Sequence, residues 1–289
     1  MSSQNLPDFD ALWDYSHPDQ TETKFREILL HFPEDDPAFL ELLTQIARAQ
    51  GLQYKFEHAH QTLDQVERRL GEVAWRPRIR YLLERGRVFN SADQPARARP
   101  FFEQALDLAK QLHEDFYAVD ALHMLAIIAP ADRGLTLNLQ AIQLAESSLE
   151  ARARNWLGSL YNNTGWAYHA LAEYASALET FEKAEAWQRS QGRLPETRVA
   201  VWCVARTLRS LNRVEEALSR LMTLQAEFES AGESDGHVFE EIGECLLCLN
   251  RPQEAHPHFS KAYEILIQDA WLVEQEPDRI ARLKSLSEG

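Results

Sequence analysis

Small and apolar residues recur along this chain at helical spacing, and the helices they predict come in pairs. Near the middle, Tyr161, Gly165 and Tyr168 are followed by Ala177, Phe181 and Ala184. Members of each triplet are three, four or seven residues apart, so each triplet lines one face of a helix. Gly165 and Ala177 are small where the two antiparallel helices cross, because a bulky side chain would hold them apart. One hairpin cannot bury its own apolar face, so the pattern predicts neighbours of the same design.

The small residue of the second helix acts as a ruler. It falls at Ala59, Ala98, Asn138, Ala177, Ala217 and Ala255, at separations of 39, 40, 39, 40 and 38 residues. Each copy keeps part of the apolar pattern: Leu43, Ile46 and Ala47 before the first ruler residue, Gly86 and Phe102 in the second copy, Ile242, Gly243 and Phe259 in the sixth. Asp93-Gln94-Pro95 and Asn250-Arg251-Pro252 each read as a cap followed by a first-turn proline. The expected organisation is one solenoid over 1–289: capping helices within 1–35, six hairpins over 36–274 and a capping helix within 275–289. The first 35 residues predict short helices at Asp8–Tyr15 and Thr21–Leu30, and the last stretch a helix at Asp278–Leu286.

The central stretch, from Tyr161 through Gly165 and Tyr168 to Ala177, Phe181 and Ala184, resembles the signature of the tetratricopeptide (TPR) repeat. Six of its seven slots match; Thr164 departs, where an aliphatic residue is usual. The resemblance implies an all-α, right-handed superhelical solenoid with roughly three quarters of its residues helical. It also implies work as a protein- or peptide-binding scaffold that uses the concave face lined by the first helices. The repeats of 39–40 residues are longer than the family's basic unit. Bacterial peptide-pheromone receptors have similarly lengthened repeats, which makes a sensor of a small peptide the alternative function.

Composition narrows the partners. A formal charge of −15 over 289 residues disfavours nucleic acid and anionic lipid. No apolar run is long enough to span a bilayer. The start of the chain has neither a basic region nor an apolar stretch, and three cysteines give no disulfide framework, so the cytoplasm is expected. No phosphate loop, nucleophile elbow or HExxH motif occurs, so neither catalysis nor a cofactor is expected. Cys245-Leu246-Leu247-Cys248 lacks the second ligand pair a zinc ribbon needs, and both cysteines are expected to be buried and structural. His58, His60, His256 and His258 read as solvated.

A binding face follows from the register. Residues three before, one after and four after the glycine slot of each first helix share a strip that turns away from the second helix. Those positions hold Arg48; Arg87 and Asn90; His123; Asn162, Trp166 and His169; Trp202, Arg206 and Arg209; then Glu240 and Glu244. Arginine forks and asparagine amides beside tryptophan predict an acidic peptide with an apolar anchor, held between the second and fifth repeats. The resemblance extends to carboxylate-clamp TPR proteins, although their lysine-rich pattern is not reproduced. A monomer, or a weak homodimer through the C-terminal end, is expected.

Overall fold

The structure is a computed structural model that describes residues 7–71 and 75–288. It is all-α, 81% helical, and without a strand among the described residues. The chain divides into two compact units, 1–156 and 157–289.

The first described elements of unit 1 are a single 3-10 turn, Phe9–Leu12, and α1 (Pro18–Leu29). Three hairpins follow: α2 (Pro37–Leu52) with α3 (Phe56–Arg69), α4 (Trp75–Ser91) with α5 (Pro95–Leu112), and α6 (Asp115–Ile127) with α7 (Ala131–Ser147). A short α8 (Ala151–Arg154) packs on α6 and α7. Unit 2 repeats the plan with α9 (Leu157–Ala170) and α10 (Tyr174–Ser190), α11 (Leu194–Ser210) and α12 (Val214–Ser230), and α13 (Gly236–Cys248) and α14 (Pro252–Leu266). It closes with α15 (Ala270–Gln275) and α16 (Pro277–Ser287). Ile280 and Leu283 of α16 are buried against the preceding hairpin.

Packing explains the small slots. A Cβ at Gly165 would lie 2.5 Å from the Phe181 ring, one at Gly86 2.4 Å from Phe102, and one at Gly243 2.7 Å from Phe259. The aromatic ring of the second helix therefore fills the place where the first helix has no side chain. Five of the six hairpins turn through a residue of positive φ, between 57° and 60°, at Tyr54, Asp93, Ala172, Asn212 and Asn250. The next residue's amide then reaches back five residues, as in Gln94 N–H to Phe89 O at 2.9 Å, which satisfies a carbonyl at the helix end. Asp93 and Asn250 thus serve as left-handed turn residues rather than as side-chain caps.

The third hairpin departs from the even ruler. The residue whose amide closes the first turn of the second helix is Ala59, Ala98, Ala177, Ala217 or Ala255 in the other hairpins, and Gly134 in this one. Asn138 falls four residues later, in the slot that Phe102 fills in α5, and Ala141 and Ala145 match Ala105 and Ala109. The expected slot at Asn138 is therefore corrected to Gly134. The physical reason is the turn: Ile128-Ala129-Pro130 follows α6 with no left-handed residue, and α7 starts directly at Ala131. Gly134 is needed there because a Cβ would meet the Ala126 carbonyl oxygen at 2.9 Å. The residues gained before the next hairpin form α8.

Candidate functional site

In each unit the strip named from the register carries polar and aromatic side chains, but their surroundings differ. In unit 1, Arg48 Nη1 lies 3.2 Å from Glu84. Arg87 is nearly buried, 2.6 Å from Glu84 and paired with Asp120 of α6. Burial alone would lower the Arg87 pKa, yet these two carboxylates raise it above its ordinary value. Asn90 borders a small cavity of about 130 Å³ with Arg48, Glu84 and Met124. His123 has a buried Nδ1, and its ring lies 5.2 Å from that of Trp156. Its pKa is pushed down, chiefly by burial.

In unit 2, Trp166 packs edge-on against Phe181 at 5.2 Å and lies 6.0 Å from Trp202. His169 is within 3.0 Å of Ser210 Oγ, and burial lowers its pKa. Asn162 Oδ1 is 3.7 Å from Cys203 Sγ and borders a cavity of about 220 Å³ between α9, α10 and α11. Arg209 clamps Glu241 of α13 with two hydrogen bonds, at 2.5 and 3.0 Å. Arg206 is left with Ser210 Oγ at 2.7 Å and a 3.7 Å approach to the same Glu241. Glu240 and Glu244 are paired with Arg279 and Arg282 of α16.

A further cavity adjoins Trp202, one of the residues named from the register. It is mainly apolar, of about 580 Å³, and opens at the N-terminal ends of α11 and α13. Trp202, Val199, Pro195 and Phe228 line it, with Arg198 and Arg279 at its edge. Trp202 Nε1 donates to the His237 carbonyl at 3.1 Å, which holds the indole in the wall. Arg198 lies over the Phe228 ring, 4.3 Å from its centre, and pairs with Glu233. Leu194 and Val199 are more than half exposed here, an apolar patch at the start of an otherwise amphipathic helix. Trp202 at its register slot is the signal in the sequence that points here; the patch was not read from it.

The TPR family model, "Tetratricopeptide repeat", matches residues 158–191, which are α9 and α10. Paired helices in both units, with the aromatic-on-glycine crossing in three of the hairpins, give the chain a TPR-type fold around that matched repeat. Solved structures agree on the fold of this TPR chain. One is a signal-transduction ATPase of the STAND class with a tetratricopeptide repeat sensor, from Pyrococcus horikoshii; it matches at TM-score 0.71 and 15% identity, over 92% of this chain and 41% of that one. A putative kinesin light chain with nearly identical TPR-like repeats, from Podosopora anserina, matches at 0.56 and 18%, over 66% and 95%. The apo quorum sensor NprR from B. thuringiensis matches at 0.55 and 13%, over 88% and 83%. No curated protein matches the sequence.

Other chemistry in the TPR chain is quickly placed. Cys203 and Cys245 are buried, and burial pushes each thiol up to about 12; Cys248 is exposed, contrary to the expectation that both members of the C-x-x-C would be buried. His60 is not simply solvated, since its ring packs 4.6 Å from that of Phe89 and its pKa is lowered by burial. His258 likewise packs near Phe239. Among the described residues, no three His, Cys, Asp or Glu side chains are grouped to hold a metal ion. No described helix is long and apolar enough to cross a membrane.

Proposed function

We propose that this TPR protein is a non-catalytic, cytoplasmic scaffold that holds an acidic peptide segment of a partner protein, with an apolar side chain of that segment as its anchor. The observation that carries the reading is the 580 Å³ cavity with Trp202 in its wall, one helical turn from Arg206. The cavity accepts the anchor, since burial of an aromatic or aliphatic side chain in such a site dominates binding. Arg206 supplies the charge. Arg206 gives Nη1 to Ser210 and stands 3.7 Å from Glu241 without a hydrogen bond to it, so it keeps guanidinium donors for a carboxylate of the ligand. Asn162, Trp166 and His169 extend the same face along α9. In unit 1, Arg48, Arg87, Asn90 and His123 belong to this reading as well, though the first two already hold internal carboxylates.

A display library of random peptides tests the reading. Enrichment of sequences that join Asp or Glu to an aromatic or large aliphatic residue is expected. Arg206→Ala and Asn162→Ala should each weaken an enriched peptide by roughly 1–3 kcal/mol with the melting curve nearly unchanged. Enrichment of basic or purely apolar peptides would reject it. A second reading, sensing of a small free peptide, draws on the size of the cavity and on the fold shared with the quorum sensor NprR. It predicts that peptides of a few residues with free termini bind as well as the same sequences embedded in a longer chain.

A further inference from the structure

In a stack of repeats each unit touches only its neighbours, so a side chain that reaches α2, α4 and α8 together lies across the stack. Asp10 does this. Its carboxylate accepts from Gln45 Nε2 of α2 at 2.9 Å, from Arg80 of α4 and from Arg152 of α8. The residues beside it run the same way. The Pro7 carbonyl accepts from Arg76 of α4 at 3.4 Å. Trp13 Nε1 donates to Gln45 Oε1 at 2.7 Å, and Trp13 stacks on Tyr15 with ring centres 4.9 Å apart. The Arg48 guanidinium lies 5.7 Å from the first ring and 5.5 Å from the second. Phe9 is buried against Phe32.

At about 100° per residue, Gln45 and Arg48 of α2, and Arg76, Arg80 and Arg87 of α4, lie some 80–160° round from the small-residue slot of their helix. The strip assigned above to a ligand spans about 40–100° on the same scale, so Arg48, Arg76 and Arg87 lie on it and Arg80 and Gln45 on its flank. The segment upon it is no repeat helix, only one 3-10 turn, and it alternates acid with aromatic: Asp8, Phe9, Asp10, Trp13, Asp14, Tyr15. Its composition is that of the peptide class proposed for unit 2. Its removal would also leave a need for charge. Arg80 is nearly buried, and without Asp10 it would keep only Glu41, while Arg152 would lose its carboxylate. Two guanidinium groups would then face each other across the vacated place with Glu41 as their one remaining carboxylate, so that face favours another carboxylate.

We propose that residues Pro7–Tyr15 are an intramolecular ligand, occupying in cis a peptide site on the first helices of unit 1. The external ligand of that site is a partner segment of the same chemistry: one carboxylate for Arg80 and Arg152, flanked by aromatic side chains. The cis segment lowers the site's apparent affinity by the fraction of time it is bound, so release of the segment is a gate on partner binding. The inference takes its ligand class from the function proposed above but concerns a different unit, so each can fail alone.

The probe is a fluorescent peptide of residues Pro7–His17, added in trans to the full chain and followed by anisotropy. The full chain carrying Asp10→Ala and Trp13→Ala together should bind it at least tenfold more tightly than wild type. Adding Arg152→Ala to that variant should reduce binding at least tenfold. No binding by a double variant whose circular dichroism remains helical would overturn the proposal, as would equal binding of a probe lacking the Asp10 and Trp13 side chains. Hydrogen exchange on the wild type decides independently, even if the double variant does not fold. Amides of residues 9–15 should open at least tenfold faster than those in the middle of α2. Protection equal to α2 would make the segment a fixed part of the core and reject the gate.

Discussion

The first helices of unit 1 and unit 2 carry the same slots with different company. On α2 and α4 the arginines are engaged from within: Arg48 and Arg87 with Glu84, Arg87 with Asp120 of α6, and Arg80 with Asp10 and Glu41. On α9 and α11 the same slots present Trp166, Trp202 and Arg206, next to a cavity large enough for a side chain. The difference teaches that a slot fixes where a side chain is placed and not whether it is available. Availability depends on how many carboxylates the neighbouring first helix offers. In unit 1, Glu84 sits one turn before Arg87 and Asp120 approaches from α6, whereas in unit 2 one carboxylate, Glu241, serves both Arg206 and Arg209.

The largest perturbation would damage one member of the pair and spare the other. Gly165→Leu places side-chain atoms where the Phe181 ring already stands, since even a Cβ there would be 2.5 Å away. A loss of about 2 kcal/mol or more is expected, because inserted bulk in a packed crossing forces backbone shifts. The damage should appear as faster hydrogen exchange in α9, α10 and α11, while the Asp10 contacts of unit 1 persist. A melting midpoint equal to wild type would mean that the crossing is looser than the geometry says.

This crossing is also where the fold was most legible. The Gly165–Phe181 pair could be read from spacing because local helix geometry and one steric rule determine it. The third hairpin was misread for an equally physical reason. Asn138 has a small-to-medium side chain at the even spacing, and nothing in the sequence announces that α6 stops short without a left-handed turn. The strip proposed to bind a ligand was legible as to position only. Arg48, Arg87 and Arg209 stand at their expected slots, but their carboxylate partners lie 32–36 residues away on the next first helix or in the same strip. The role of Asp10 had no sequence signal at all, since its partners at Gln45, Arg80 and Arg152 are joined only by the fold.

Acid sharpens the comparison by acting on unit 1's closure. Burial would raise the Asp10 carboxyl, but Arg80, Arg152 and Gln45 together hold it down to about 2. A carboxylate held below its ordinary value adds stability above that value and loses it as pH falls through the depressed one. The hold on residues 7–15 should therefore weaken between about pH 4 and pH 2. Glu41 works in the opposite sense, because burial raises its pKa and folding then favours its protonated form. The loss should consequently be read locally, as faster exchange of the amides of residues 9–15 relative to α2, rather than from the global melt. An Asp10→Asn chain should show this looseness already at pH 7; one whose segment remains as protected as wild type would show that the ion pairs do not hold the segment.

The smallest expected effect concerns the slot in unit 2 that departs from the family signature. Thr164 is fully buried, and its hydroxyl has no hydrogen-bond partner in the protein. A buried polar group without a partner costs about 1–3 kcal/mol, part of which a threonine in a helix can recover by turning its hydroxyl to the carbonyl four residues earlier. Thr164→Val keeps the shape and removes the hydroxyl, so a gain of about 1 kcal/mol is expected. For a chain of this size that is a rise of about 2–4 °C in Tm. The gain should fall on unit 2 and leave the Trp202 cavity and the peptide affinity as they were, because Thr164 faces the packed side of α9 while Asn162 and Trp166 face the other way. If Val lowers Tm instead, the hydroxyl is bonded to the helix backbone after all, and Thr164 departs from the signature because it supports α9. If Val raises Tm but weakens peptide binding, the packed side and the binding strip of unit 2 are coupled, and the freedom of Arg206 depends on a core that is less than fully settled.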